Sequence, residues 1–187
     1  DHRDLHSFPT RRSSDLSAHK DQRRVSGIPY ILHPTSVACI LVQMGMDTES
    51  VVAALLHDVV EDTDVELDEI KKKFGETVAE IVDGVTKLSK ITYSNREERQ
   101  AENLRKMLIA MSNDIRVIIV KLADRLHNLR TIDVMRPQKQ RDKALEVMEV
   151  FAPIAHRLGM KAMKPIISSP GSGLQHLENL IKQSSIP

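Results

Sequence analysis

Between Asp114 and Arg130 the chain is apolar on most sides. Ile115, Val117 to Val120, Leu122, Leu126 and Leu129 leave few directions for water. A helix of that kind has no face to give to solvent, so other elements must surround it. Val117 to Val120 alone would suit a short strand, but the apolar pattern runs on past strand length, which favours a helix. A central buried helix asks for a bundle around it, and the composition agrees. Aromatic residues make up only 3% and Trp is absent. The core therefore falls to Leu, Ile, Val, Met and Ala, which suits helices and disfavours a β-sandwich. With 187 residues the chain can form one all-α domain with a sizeable core.

The same helix carries a polar stripe. Asp124, Asn128 and Thr131 recur at i, i+4 and i+7, and polar groups on a buried helix need partners. A second polar cluster, His57-Asp58-Val59-Val60-Glu61-Asp62, follows the apolar run Val51 to Leu56. Glu61 and Asp62 come three and four residues after Asp58, which returns them to its helix face. Three carboxylates held together repel one another and are costly to desolvate, and a bound cation offsets that cost. His33, just before a helix start, is a further imidazole. The pattern points to metal-dependent hydrolysis.

Along the chain, residues 1–16 (DHRDLHSFPTRRSSDL) lack periodicity and read as a disordered or non-native segment. Ser26-Gly27-Ile28-Pro29 is a turn signal, and somewhere in the bundle there is room for a small hairpin or loop insertion. Pro34 suits the first position of a helix with Val37, Ile40, Leu41 and Met44 as its stripe, ended by Gly45. Asp47 or Thr48 caps the next helix, which sends Val51, Val52, Leu55 and Leu56 inward and ends near Val60. Leu67 to Phe74 stops at Gly75, and Glu76 to about Leu88 buries Val78, Ile81, Val82 and Val85. Ser89 to Arg96 reads as a loop, and Glu97 to Ser112 as an amphipathic helix. Lys139 to Arg157 is another helix, with a kink expected at Pro153. Residues 17–160 form the expected domain, and residues 161–187 a divergent, flexible tail with a Ser-Pro-Gly-Ser-Gly linker.

Bulk properties remove several functional classes. Lys plus Arg is 27 and Asp plus Glu is 26, so there is no electrostatic footprint for nucleic acid. No apolar run approaches a membrane span, and no signal peptide is visible. A single cysteine, Cys39, forbids an internal disulfide and points to a reduced, cytoplasmic setting.

The order His33, His57-Asp58, Asp124 resembles that of the HD-type metal phosphohydrolases. Longer strings narrow the resemblance: SGIPYILHP, LLHDVVEDTD, FGETVAEIVDGVTKL, AENLRKMLIAM, DIRVIIVKLADRLHNLRT and FAPIAHRLG. They resemble the amino-terminal hydrolase domain of the long, bifunctional RelA/SpoT-type stringent-response enzymes, over roughly Ser17 to Gly159, without the synthetase and regulatory regions. The resemblance implies an HD-domain helical bundle with His33, His57, Asp58 and Asp124 as ligands of one divalent metal, usually Mn²⁺. A His and carboxylate set without thiolate suits Mn, Fe or Zn. It further implies Glu61 and Asp62 as the catalytic acidic pair, Arg24 at the nucleotide pocket, Asn128 as a substrate contact and Thr131 beside the nucleotide. The implied reaction removes pyrophosphate from the 3′ position of guanosine tetra- or pentaphosphate, giving GDP or GTP. The His-Asp pair and its acids, replaced in relatives that have lost hydrolysis, are intact here.

Plainer readings stand beside these. Asp124 could pair with Arg125 or Lys121 on a surface, although its apolar flanks argue against that. His127 is read as a structural histidine, and Arg23 competes with Arg24 for a phosphate. The rival functions are an HD phosphohydrolase acting on another nucleotide, and an inactive, truncated fragment.

Overall fold

The computed structural model describes residues 22–24, 27–89, 109, 113–147, 151 and 154. The elements among them are helical. They are α1 (Leu32–Gln43), α2 (Thr48–Leu56), α3 (Val59–Asp62), α4 (Leu67–Phe74), α5 (Glu76–Ser89), α6 (Ile115–Arg130), a 3-10 turn (Ile132–Val134) and α7 (Pro137–Glu146). The one departure is an isolated antiparallel bridge between Arg23 and Pro29. It closes a small hairpin, with Tyr30 N–H donating to Gln22 O and Arg24 N–H to Ile28 O, both at 2.9 Å. The all-α expectation holds. Residues 1–16 and 161–187, the helix expected over 97–112 apart from Ile109, and the kink at Pro153 lie outside the described residues. No helix among the described residues is long and apolar enough to cross a membrane.

α6 is central, as its all-round apolarity requires. It packs against α1, α2 and α5, and Ile118, Val120 and Ala123 are fully buried. The expected stripe of α5 is also the buried one: Val78, Ile81, Val82 and Val85. Close approach of α5 to α6 depends on Gly84. A Cβ there would meet Val117 Cγ2 at 2.7 Å, well inside van der Waals contact. α1 and α4 stop at Gly45 and Gly75 as expected, both with positive φ.

Three local expectations need correction. α1 begins at Leu32, so Pro34 sits inside the first turn rather than at its start. The missing N–H is harmless there, because the first four donors of a helix have no intrahelical acceptor. The helix begun at Thr48 does not run to Val60. It ends at Leu56, and a separate turn, α3, begins at Val59. Its inner face is also different: Ser50, Ala53, Ala54 and Leu56 are buried, while Val51, Val52 and Leu55 are only half-buried. Small side chains let α2 lie close to its neighbours α1 and α5, and the β-branched residues fill the margins.

Candidate metal centre

The break between α2 and α3 places His57 and Asp58. On a continuous helix adjacent residues diverge by about 100°. Asp58 instead has φ −101° and ψ −6°, in the sparsely populated bridge between helix and strand conformations. Both side chains then address one point: His57 Nε2 lies 3.1 Å from Asp58 Oδ2. α1 brings His33 to the same place, with Nε2 3.6 Å from Asp58 Oδ2 and 3.3 Å from Asp124 Oδ1. α6 supplies Asp124, whose Oδ1 is 3.9 Å from His57 Nε2. His33, His57 and Asp124 are buried, and the Asp58 side chain is 16% exposed.

His33, His57 and Asp58 could hold a single cation, since their ligand atoms all lie within 4.8 Å of one another, and Asp124 approaches both histidines. Donors held about 2.0–2.2 Å from one ion sit about 3–4 Å from one another, the range of the ion-pair distances given above. His57 strengthens the case. Its Nδ1 is 2.7 Å from Ala54 O, which can only accept, so the ring proton belongs on Nδ1. Nε2 then points into the cluster, buried and without a hydrogen-bond partner. A buried polar atom in that state calls for a ligand.

Asp124 is held from behind. Its Oδ1 accepts from Asn128 Nδ2 at 2.6 Å, while Lys121 Nζ and Arg125 Nη1 lie 3.3 and 3.5 Å from Oδ2. Burial alone would raise its pKa. The Lys121 charge, the His33 hydrogen bond and the charges of His57 and Arg125 outweigh burial and hold it well below the usual carboxylate range. Asp58 behaves alike. Burial pushes it up, but His57, with help from the Tyr30 hydroxyl, brings it down to about 2. Burial pushes His57 down, and the Asp58 carboxylate followed by Asp124 raises it. The surface pairing considered for Asp124 is real in its partners but not in its location, since the carboxylate is buried among them.

The rest of the polar stripe is joined to this cluster. Arg24 Nη2 donates to Asn128 Oδ1 at 2.7 Å, and Nη1 donates to Thr131 Oγ1 at 3.2 Å. Arg24, Asn128, Thr131 and Asp124 therefore form one linked group. Arg23 turns instead to Gly27 O and is exposed.

Glu61 and Asp62 behave differently. Both are exposed, on the four-residue turn α3. Asp58, Glu61 and Asp62 share one helical turn, with Glu61 N–H and Asp62 N–H both donating to Asp58 O, and of these three only Asp58 is within ion-pair distance of His33 and His57 among the described residues. The second carboxylate of the cluster is the distant Asp124. Asp62 stays near enough to Tyr30 to help push its phenol pKa up, after burial and Asp58.

Three further groups surround the cluster, and of these only Tyr30 went unnamed from sequence. Tyr30 donates its hydroxyl to Asp58 Oδ2. Lys121, expected as a surface pairing for Asp124, is a buried ammonium three residues before it. His127, read as structural, has Nδ1 2.7 Å from His33 Nδ1. Burial pushes its pKa down, and the nearby His33 and Arg24 charges add to the shift, bringing it to about 4.

An all-α bundle with a buried His-Asp cluster at a helix break is the arrangement of an HD domain. A profile of the HD domain family matches residues 14–161, and the chain belongs to that family. Within it, the similarity runs to the RelA/SpoT-type hydrolases. The guanosine-3′,5′-bis(diphosphate) 3′-pyrophosphohydrolase of Haemophilus influenzae is 54% identical over 147 residues, which is 79% of this chain and 22% of that protein. The bifunctional (p)ppGpp synthase/hydrolase SpoT of Escherichia coli K12 is 51% identical over 154 residues, 82% of this chain and again 22% of the relative. The chain thus spans about a fifth of the length of these relatives. A solved structure described as a metazoan ortholog of SpoT that hydrolyses ppGpp superposes with a TM-score of 0.66 over 100% of both chains at 24% identity, a likeness of fold.

Proposed function

We propose that this HD domain, residues 17–160, binds one divalent cation through His33, His57, Asp58 and Asp124. We further propose that it hydrolyses the 3′-pyrophosphate of guanosine tetra- or pentaphosphate to GDP or GTP and pyrophosphate. The observation that supports this reading is the convergence of His33, His57 and Asp58, whose ligand atoms all lie within 4.8 Å of one another, with Asp124 Oδ1 3.3 and 3.9 Å from the two histidines. The donor set favours a first-row ion, and Mn²⁺ is the assignment. A bound divalent ion supplies Lewis acidity, acidifying water and drawing charge from a phosphate oxygen.

The chain's own residues do the rest. Glu61 and Asp62, solvated beside Asp58, orient the attacking water and take its proton. Arg24, held by Asn128 and Thr131, offers its remaining N–H donors to the nucleotide. Asn128 and Thr131 border the same pocket. A cytoplasmic setting fits the single cysteine, and nucleic acid is not a partner, because net charge is only +1.

The test is incubation with Mn²⁺ and guanosine tetraphosphate, with ATP and GTP in parallel, following nucleotide products. The expected result is GDP and pyrophosphate from the tetraphosphate, lost in Asp58→Ala. Equal turnover of ATP would overturn the alarmone assignment. No turnover by folded, Mn²⁺-loaded protein would overturn the enzyme reading.

A further inference from the structure

His127 is an imidazole of α6 that lies outside both the ligand set and the Arg24 group. Its Nδ1 is 2.7 Å from His33 Nδ1, and the two rings lie 4.8 Å apart at 48°. Two ring nitrogens at that separation hold one proton between them, so one donates and the other accepts. The far nitrogen of His33, Nε2, faces Asp124 Oδ1 and Asp58 Oδ2. If Nε2 is to give a lone pair to a cation, the proton of His33 must be on Nδ1, and His127 must accept it.

We infer that His127 is a positioning residue for the centre: it accepts from His33 Nδ1–H and so fixes the tautomer and ring orientation that aim Nε2 at the cation. This rests on the reading of the cluster as a metal centre. The two imidazoles of the cluster are then held by the same device with different acceptors. His57 Nδ1 donates to Ala54 O, a carbonyl that can play no other part. His33 Nδ1 meets another imidazole, which could as easily donate as accept. His33 is buried, so water is poorly placed to substitute for that partner. Ligating histidines generally need such an outer partner, and its loss weakens metal affinity about 10–100-fold.

The test is Mn²⁺ affinity by titration calorimetry for the wild-type chain, His127→Leu and His127→Asn. Leu keeps bulk without an acceptor, and Asn places an amide oxygen near the position of Nδ1. The expected result is affinity about 10–100-fold weaker for His127→Leu, recovered in large part by His127→Asn. Imidazole ¹⁵N spectra of the Zn²⁺-loaded wild-type chain should place the His33 proton on Nδ1. They decide the matter even if His127→Leu does not fold. Unchanged affinity in His127→Leu, no recovery in His127→Asn, or a His33 proton on Nε2 would each overturn the inference while leaving the centre intact. A folded wild-type chain that takes up neither Mn²⁺ nor Zn²⁺ would overturn the centre itself, and this role with it.

Discussion

Asp58 and Asp124 lie far apart in sequence yet share one buried point, whereas Glu61 and Asp62, beside Asp58 in sequence, stay in water. The surroundings differ accordingly. Asp124 has Lys121 and Arg125 behind one oxygen and Asn128 on the other. Asp58 has His57 and the Tyr30 hydroxyl. Glu61 and Asp62 stand on a single short turn with open solvent around them. Two buried carboxylates are tolerable only when countercharge and donors are packed with them. The fold thus separates two tasks. Groups proposed to hold a cation are locked by packing, and groups proposed to handle water keep their hydration and their freedom to move.

That contrast breaks most visibly at Asp124. Asp124→Ala leaves the Lys121 ammonium buried without its carboxylate partner. The expected result is a loss of about 3–5 kcal/mol of stability in urea denaturation of the metal-free protein, together with loss of Mn²⁺ binding and hydrolysis. A variant as stable as the wild-type chain would mean that the Asp124 network is not what makes the cluster tolerable. Glu61→Gln and Asp62→Asn test the other side. Each should lower hydrolysis about 10²–10⁴-fold with Mn²⁺ affinity and the urea midpoint unchanged. If either weakened Mn²⁺ binding as much as Asp58→Ala, the separation of tasks would fail.

Sequence made the locked side legible and part of the rest opaque. The apolar flanks of Asp124 placed it on a buried helix, and i, i+4, i+7 spacing joined it to Asn128 and Thr131, which Arg24 indeed bridges. Periodicity also gave the stripe of α5 and the stops at Gly45 and Gly75. It misjudged the segment through His57 because a pattern of apolar residues does not register a local break in helix geometry. Asp58 takes up bridge-region φ and ψ there and redirects the chain. The inner face of α2 was missed for a different reason. Hydrophobicity ranks Val above Ala, whereas close helix packing rewards the smaller residue. Tyr30 and the partner of His127 were not legible because Asp58 and His33 meet these residues only through the tertiary fold.

A third region, away from the cluster, provides the control. Gly84→Ala drives a methyl into Val117, at the contact between α5 and α6. The expected cost is about 1–3 kcal/mol in urea denaturation, as for other overpacked cores. Adding Val117→Ala should return part of it, because the two side chains compete for the same space. A full loss retained in the double variant would place the strain elsewhere.

The smallest expected effect lies at the N-terminus of α2, which is tied to the start of the helix that carries Asp124. Asp114 caps α6 by accepting from Arg116 N–H at 2.8 Å, and Asp47 caps α2 by accepting from Ser50 N–H at 2.7 Å. Arg116 Nη1 donates to Asp47 Oδ2 at 3.2 Å, tying the two helix starts together. Burial pushes Asp47 up, but the Ser50 hydrogen bonds and the Arg116 guanidinium together outweigh it and hold its pKa below the usual carboxylate value. A carboxylate with a depressed folded value stabilises the fold in full above the unfolded value, and loses that contribution as pH falls through the folded one. Asp47→Ala should therefore cost about 1 kcal/mol near neutral pH. The gap between variant and wild type should close as pH drops below 3.8. Urea midpoints followed from neutral pH downward read that gap directly. A gap that persisted unchanged at the acid end would mean that Asp47 acts through its shape rather than its charge. The exposed cap of α2 would then share nothing with the buried Asp124, which depends on its charged neighbours.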